Sequence, residues 1–160
     1  MMASRRGPLV AAGTCLGIGM GGFVDGIAFH QILQLHNMLS AVRPPTTLVN
    51  VEVNMFWDGL FHAGTWAATA AGLALLWRAA LRPDFVPSTR SFVGSLLAGF
   101  GLFNAVEGVI DHHLLQIHHV VEGPGHLPYD LAFLASGAVL LVAGWGLVAT
   151  DPRRPTAAPA

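Results

Sequence analysis

The sequence predicts an all-α protein, a bundle of four transmembrane helices built from a duplicated helical hairpin. Of its 160 residues, 53% are hydrophobic and only 11% are charged, whereas soluble domains carry about 25% charged residues. Four apolar stretches are each long enough to cross a bilayer as a helix, which takes about 20 residues. A motif of acidic, glycine and histidine residues also occurs twice. The lipid bilayer is therefore the expected surrounding of the chain.

The first apolar stretch follows Arg5 and Arg6 and so begins like a signal peptide. Its apolar character continues past Asp25 without a small-residue cleavage site, which favours a retained span. Pro44 and Pro45 then end this helix. The predicted spans are residues 8–39, 48–81, 92–121 and 127–149 of one membrane domain at residues 1–150, followed by a disordered cytoplasmic tail at residues 151–160.

The arginines predict the orientation of the spans. Arg43 alone lies in a loop on one side, and the seven other arginines lie on the opposite side. By the positive-inside rule, the arginine-rich side, with both termini, is cytoplasmic. All the histidines fall in the other half of the spans or in its loops, at His30, His36, His62, His112, His113, His118, His119 and His126. The histidine-rich half is therefore expected to face outward.

An internal repeat relates the two halves of the chain. The pattern is an acid followed by glycine, a histidine five residues after the acid, and a second histidine six residues later. Two copies inserted the same way round are related by an axis along the membrane normal. Spans 1 and 3 are then central and spans 2 and 4 flank them. The aligned pairs are Asp25 with Glu107, His30 with His112, His36 with His118 and, more weakly, Asp58 with Asp130.

Acids and histidines at these positions point to a metal site. Carboxylates and imidazoles are the ligands of hard and borderline metal ions. A charged side chain at the centre of a membrane costs about 2.5–3.5 kcal/mol, so these groups need partners. The candidate ligands are Asp25, His30, His36, Asp58, His62, Glu107, Asp111, His112 and His118, and Glu52, His119 and Asp130 are the candidate hydrogen-bond partners of ligating imidazoles.

Helix geometry leaves one question about this site. Asp25 and His30 are five residues apart, which places them about 140° from one face in a regular α-helix. They either contact different neighbours or are brought into line by a π-bulge at Gly26. His36 and His118 lie about 9 Å further along their helices than the preceding histidines. They are expected to form an outer layer, as a second ion position or an access path.

Several functions fit these residues. A divalent ion is favoured, with zinc, iron, manganese and copper not distinguished, and it belongs either to a metalloenzyme or to a metal-holding protein. The alternatives are a haem- or quinol-binding redox protein and a proton-conducting polar network without metal. The net charge of −1 gives no reason to expect nucleic acid. Cys15 alone excludes a disulfide within the chain. The sequence does not identify catalytic residues. It also leaves open whether the chain forms a homo-oligomer or binds a respiratory complex.

The motifs resemble those of an uncharacterised family of small bacterial four-span membrane proteins. The resemblance rests on Asp25-Gly-Ile-Ala-Phe-His, on Asp58-Gly-Leu-Phe-His and on Glu107-Gly-Val-Ile-Asp-His-His. It covers nearly the whole chain. It implies a four-helix membrane fold in the bacterial cytoplasmic (inner) membrane, and it implies no activity because the family is a domain of unknown function.

Overall fold

Four long helices joined by loops make up the computed structural model, which describes residues 6–152. All four are long and apolar enough to cross a membrane, and no strand occurs within residues 6–152, so the predicted fold class is confirmed. Residues 153–160 of the predicted tail lie outside the described residues. The helices are α1 (Gly7–Ile32), α2 (Leu48–Ala80), α3 (Thr89–Leu114) and α4 (Leu127–Ala149).

The two central helices are α1 and α3, as the repeat predicts. α1 packs against both α2 and α3, and α4 packs against α3. The end of the bundle where α1 and α3 stop and α2 and α4 start is called here the histidine end. At the opposite end, the Asp151 carboxylate accepts hydrogen bonds from Ser88 and Ser91 and pairs with Arg6. These contacts join the start of α1 and α3 to the end of α4.

Glycines allow α1 and α3 to approach closely. Gly13, Gly17 and Gly21 follow one another at four-residue spacing and face Ser95, Gly99 and Phe103 of α3. A Cβ atom on Gly17 would collide with the carbonyl oxygen of Leu96 and lie 2.9 Å from the Gly99 Cα. The small-residue stripe therefore serves helix packing, which in a membrane depends on close van der Waals contact.

The interior and the surface have the reverse polarity of a soluble bundle. Large apolar side chains such as Trp66, Trp77 and Val142 are exposed and suit contact with lipid. The largest fully buried side chains are polar: His30, His112, His118, Asn54, Asp25, Asp58, Asp130, Ser91 and Ser95. Since a lone polar group in hydrocarbon costs several kcal/mol, the bundle must satisfy these groups internally.

α1 and α3 end earlier than predicted, and both end in the same way. Their last turns, Asp25–Ile32 and Gly108–Leu114, are π-helix. The chain then reverses through Gln34 and Gln116, whose φ angles of 51° and 49° lie in the left-handed region. The segments that follow are not helical. The residues predicted to extend these helices therefore fold back over their ends.

The close crossing of α1 and α3 makes a stability prediction. Gly17→Ala should destabilise the protein by roughly 1–3 kcal/mol or more, because the added methyl group overpacks a backbone contact. Gly64→Ala is the matched control, since nothing lies within 4 Å of a Cβ atom at Gly64 of α2. Thermal unfolding in detergent measures both variants. Equal stability of the two would contradict the packing described here.

Candidate metal centre

Four imidazoles meet inside the histidine end. His36 and His118 lie face to face, with ring centroids 4.8 Å apart and planes only 3° from parallel. His30 lies 4.5 Å from His36, and His112 lies 4.9 Å from His118. With the carboxylates of Asp25 and Glu107 these four residues are called here the central cluster. All six are buried.

The π-helical turns bring the first carboxylate and histidine of each repeat together. In α1 the Nε2 atom of His30 lies 3.0 Å from the Asp25 carboxylate, although five residues separate them. A π-helix has more residues per turn than an α-helix, so residues five apart come into line. The π-bulge interpretation of the sequence therefore fits the structure. In α3 the ligand atoms of Glu107, His112 and His118 lie within 4.8 Å of one another.

The second histidine of each repeat is fixed by the other half of the chain. The Nδ1 atom of His36 lies 3.0 Å from the carbonyl oxygen of Val120. That of His118 lies 3.1 Å from the carbonyl oxygen of Met38. Met38 and Val120 occupy equivalent positions, two residues after each histidine. Each loop thus holds the imidazole of the opposite repeat.

Two aspartates of the flanking helices face the first histidines, and one of them is within hydrogen-bond distance. Asp58 of α2 lies 3.0 Å from the Nδ1 atom of His30 and accepts a hydrogen bond from the Met38 amide at 2.8 Å. Asp130 of α4 accepts one from the Val120 amide at 2.9 Å, and its Oδ1 atom lies 3.7 Å from the Nδ1 atom of His112. The same oxygen in each half therefore holds a loop and faces an imidazole.

Nine buried polar atoms of the central cluster have no regular hydrogen bond: both carboxylate oxygens of Asp25 and Glu107, the Nε2 atoms of His30, His36 and His118, and both ring nitrogens of His112. Among them, the Asp25 carboxylate and the His30 Nε2 atom lie 3.0 Å apart, and the His112 Nδ1 atom faces Asp130. The Asp25 carboxylate also lies 3.9 Å from the Nε2 atom of His36, and the Glu107 carboxylate lies 3.7 Å from that of His118. Buried polar atoms without a partner are rare in folded proteins.

Burial favours the neutral form of the two imidazoles outside the helices. Burial lowers the pKa of His36 to about 3 and also lowers the pKa of His118. A neutral imidazole whose Nδ1–H donates to a carbonyl group keeps a lone pair on Nε2. That lone pair is the one that binds a metal ion, and the outward hydrogen bond sets the tautomer and the ring orientation.

The placement of His36 and His118 differs from the outer layer that their sequence spacing predicts, about 9 Å beyond His30 and His112. The structure instead packs all four rings together, because the chain reverses at Gln34 and Gln116. Glutamine is not a residue that commonly marks a left-handed turn, so the sequence carried no clear signal of the reversal.

Six other predicted site residues lie outside the central cluster: Asp58, His62, Asp111, Glu52, His119 and Asp130. His62 packs beside Gly26 and Phe61, and its Nδ1 atom bonds to the Asp58 carbonyl oxygen. It lines an open groove of about 370 Å³ beside Asp58. Asp58 itself supports His30 from outside and does not face the centre. Asp111 is half-buried at the edge near His118, and Glu52 is exposed on α2.

Sequence reasoning missed the two loop carbonyls and an amide. Backbone oxygens of Met38 and Val120 leave no mark in side-chain composition. Asn37 donates to the Asp58 carboxylate at 2.9 Å. Its counterpart His119, predicted as a supporting residue, contacts Asp130 at 2.8 Å in the same way. Asn37 and His119 occupy equivalent positions in the aligned repeats, and this equivalence indicates that both side chains contact the aspartate of a flanking helix.

The hydrogen bonds at Asp58 predict a stability effect that is independent of metal. Asp58→Ala should cost at least about 2 kcal/mol, because it leaves the Met38 amide and the His30 ring without an acceptor. Asp58→Asn should cost less, since its amide oxygen still accepts from Met38. Unfolding in detergent with a chelator measures the loss. Glu52→Gln on the exposed face is the control, expected within about 0.5 kcal/mol of wild type. An Asp58→Ala variant as stable as this control would contradict the assigned role.

The comparison with known proteins agrees with the motifs and the fold. The sequence pattern of the family described as "Predicted membrane protein (DUF2243)" matches residues 12–151. No curated protein and no solved structure matches the chain. The match covers α2, α3 and α4 and most of α1, including every residue of the central cluster. The chain therefore belongs to the DUF2243 family of predicted membrane proteins.

Proposed function

We propose that the protein is a membrane metalloprotein whose central cluster holds a resident metal centre. The observation that carries this proposal is the set of buried ring nitrogens and carboxylate oxygens in the central cluster that lack hydrogen bonds, apart from the 3.0 Å contact between Asp25 and His30. Such atoms are costly unless something binds them. A cation at their centre would satisfy them together, and two buried carboxylates supply the charge that balances it.

The ligand types favour a borderline first-row ion. Imidazole suits zinc, copper, iron and nickel, and carboxylates suit harder ions such as manganese. Cysteine, the ligand of soft cuprous ions, does not belong to the cluster. Each repeat contributes one carboxylate and two imidazoles, a ligand set that also occurs in non-haem iron oxygenases. The chemistry therefore favours zinc, iron, manganese or cupric ion.

Two ions fit the cluster better than one. Six donor groups exceed the four that a zinc ion usually takes. The donor atoms also form two groups within 4.8 Å, one of His30, His36 and His118 and the other of Glu107, His112 and His118. The groups share His118, whose one free ring nitrogen, Nε2, ligates one ion at a time, and the other donors remain for a second ion. We therefore propose a dinuclear centre.

A resident ion fits the surroundings of the cluster better than a transferred one. Three of the four imidazoles have an outward hydrogen bond of 3.0–3.1 Å from Nδ1, and the ligands are buried. Ligands held in this way are preorganised for one geometry. A delivery protein needs ligands that can rearrange and release the ion. The proposed role is therefore that of a metalloenzyme centre, which polarises a bound substrate or activates water at an open position.

Haem and a metal-free proton network are the competing functions. The imidazole rings contact one another at 4.5–4.9 Å, which leaves no slot for a porphyrin plane between them. The network is supported by the 3.0 Å contact between Asp25 and His30, which is an ion pair if the ring is protonated. An optical spectrum and a metal analysis distinguish these functions from the proposed one.

The metal proposal predicts the content of the purified protein. Wild-type protein prepared without chelators should hold at least two ions per chain by elemental analysis, and its spectrum should lack a Soret band. His118→Gln should weaken metal binding at least tenfold, because His118 belongs to both donor groups. The thermal stabilisation by added metal should fall with it, since a ligand at one hundred times its Kd stabilises by about 2.7 kcal/mol.

His62→Gln is the matched control for this experiment. It also removes an imidazole from the histidine end but lies outside the central cluster, so its metal content should equal that of the wild type. If wild-type protein offered zinc, iron, manganese and copper in turn never binds a stoichiometric ion, the metal proposal is wrong and the proton network takes its place. If the cluster binds one ion, the protein is still a metalloprotein, but the centre is mononuclear and not dinuclear.

We also propose that the histidine end faces outward from the bacterial cytoplasmic membrane. Arg6, Arg78, Arg82 and Arg90 support this, since they lie at or near the opposite end of the helices. Positive loops are retained on the cytoplasmic side. An outward-facing centre would meet its substrate or electron partner outside the cytoplasm.

Cysteine labelling tests this orientation. In a Cys15→Ala background, Gly125→Cys in the loop before α4 should react with an impermeant maleimide added to intact cells. Gly125 is exposed and has nothing within 4 Å of its Cβ position. Pro83→Cys in the loop after α2 is the control and should react only after the cells are opened. The opposite result would invert the proposed orientation.

A further inference from the structure

Three side chains outside the central cluster converge at the surface of the histidine end. The Nδ1 atoms of His119 and His126 lie 2.8 and 2.9 Å from the same oxygen, Oδ2 of Asp130. Their rings are stacked, with centroids 3.7 Å apart. His119, His126 and Asp130 are called here the outer triad, and its donor atoms lie within 4.8 Å of one another.

The first half of the chain has equivalent positions around Asp58, but asparagines occupy them where the second half has histidines. Asn37 stands at the position equivalent to His119, and Asn54 stands four residues before Asp58, as His126 stands four residues before Asp130. Asn37 donates to the Asp58 carboxylate, whereas Asn54 bonds to the Leu39 amide and the Arg43 carbonyl group. Amide side chains therefore suffice for folding in one half. The second half has two imidazoles instead, which are good metal ligands.

We propose that the outer triad is a second metal site, separate from the central cluster, which binds a borderline divalent cation such as Zn²⁺. Two imidazole nitrogens and one carboxylate oxygen are three protein ligands, and water completes a tetrahedral zinc site. At zinc–ligand distances of about 2.0–2.1 Å, ligand atoms lie roughly 3.3 Å apart. The observed contacts of 2.8 and 2.9 Å need to open by only about half an ångström.

The outer triad is open to ions from solution, unlike the central cluster. The His126 side chain is 33% exposed and that of His119 is 10% exposed. The other Asp130 oxygen bonds to the Val120 amide and faces His112 of the central cluster. One carboxylate thus stands between the two sites. An ion at the outer triad would bind on the side of this carboxylate that faces the solvent.

The experiment uses the detergent-purified full chain and Zn²⁺ alone as the probe. The His119→Asn/His126→Asn double variant reproduces the asparagines of the first half, so it should keep the fold. After loading and desalting it should hold one Zn²⁺ fewer per chain than wild type. The single variant His126→Asn changes a partly exposed side chain. It should weaken the binding of one Zn²⁺ ion at least tenfold. The melting temperature measured in the presence of a chelator should stay unchanged.

The outcomes separate this site from the central one. If the double variant holds as much Zn²⁺ as wild type, or loses every ion of a wild type that holds more than one, the separate outer site is wrong. If His118→Gln, which alters the central cluster, still binds the Zn²⁺ ion that the double variant has lost, the outer site binds metal independently of the central cluster. If wild type holds a single Zn²⁺ that is lost in the double variant, the outer site stands and the central centre fails. Saturation at no defined number of ions would overturn the outer site.

Discussion

The structure depends on satisfying imidazoles that are buried inside a membrane bundle. The rings are buried, so their donor nitrogens need acceptors from the protein. Each loop that follows a central helix supplies a backbone carbonyl to the histidine of the other half, and an aspartate of a flanking helix holds the amide of the same loop residue. The reversal at Gln34 and Gln116, the π-helical turns and the placement of Asp58 and Asp130 all serve this arrangement.

Much of the fold was predictable because membrane spans are a matter of length and polarity. The four helices, their central and flanking positions and the packing role of Gly13, Gly17 and Gly21 follow from apolar stretches and small-residue spacing. The ends of α1 and α3 were not predictable to the same degree. A left-handed glutamine has no strong sequence signal, so residues 33–39 were assigned to helix. The error placed His36 and His118 in a separate layer.

The candidate site was predictable in its residue types but less so in its roles. Asp25, His30, Glu107 and His112 follow from the repeat together with the glycine that permits a π-helix. The spacing of four between Asp58 and His62 predicts equivalent roles, yet of the two only Asp58 contacts an imidazole of the cluster. The distinction depends on which face of α2 meets α1, and an apolar helix in lipid has little polarity difference to reveal that face. His62, without a counterpart in α4, was the weaker candidate on symmetry alone.

The exchange of carbonyl groups between the two loops bears on how such a protein can arise. A single hairpin would contain histidines whose acceptors lie on another copy, so an ancestor of half the length would complete its polar interior only as a symmetric homodimer. Fusion of two such genes would turn the subunit interface into the middle of one chain. The two copies could then differ in sequence. Asp25 opposite Glu107 and Asn37 opposite His119 are differences that a fused pair can accumulate and a homodimer cannot.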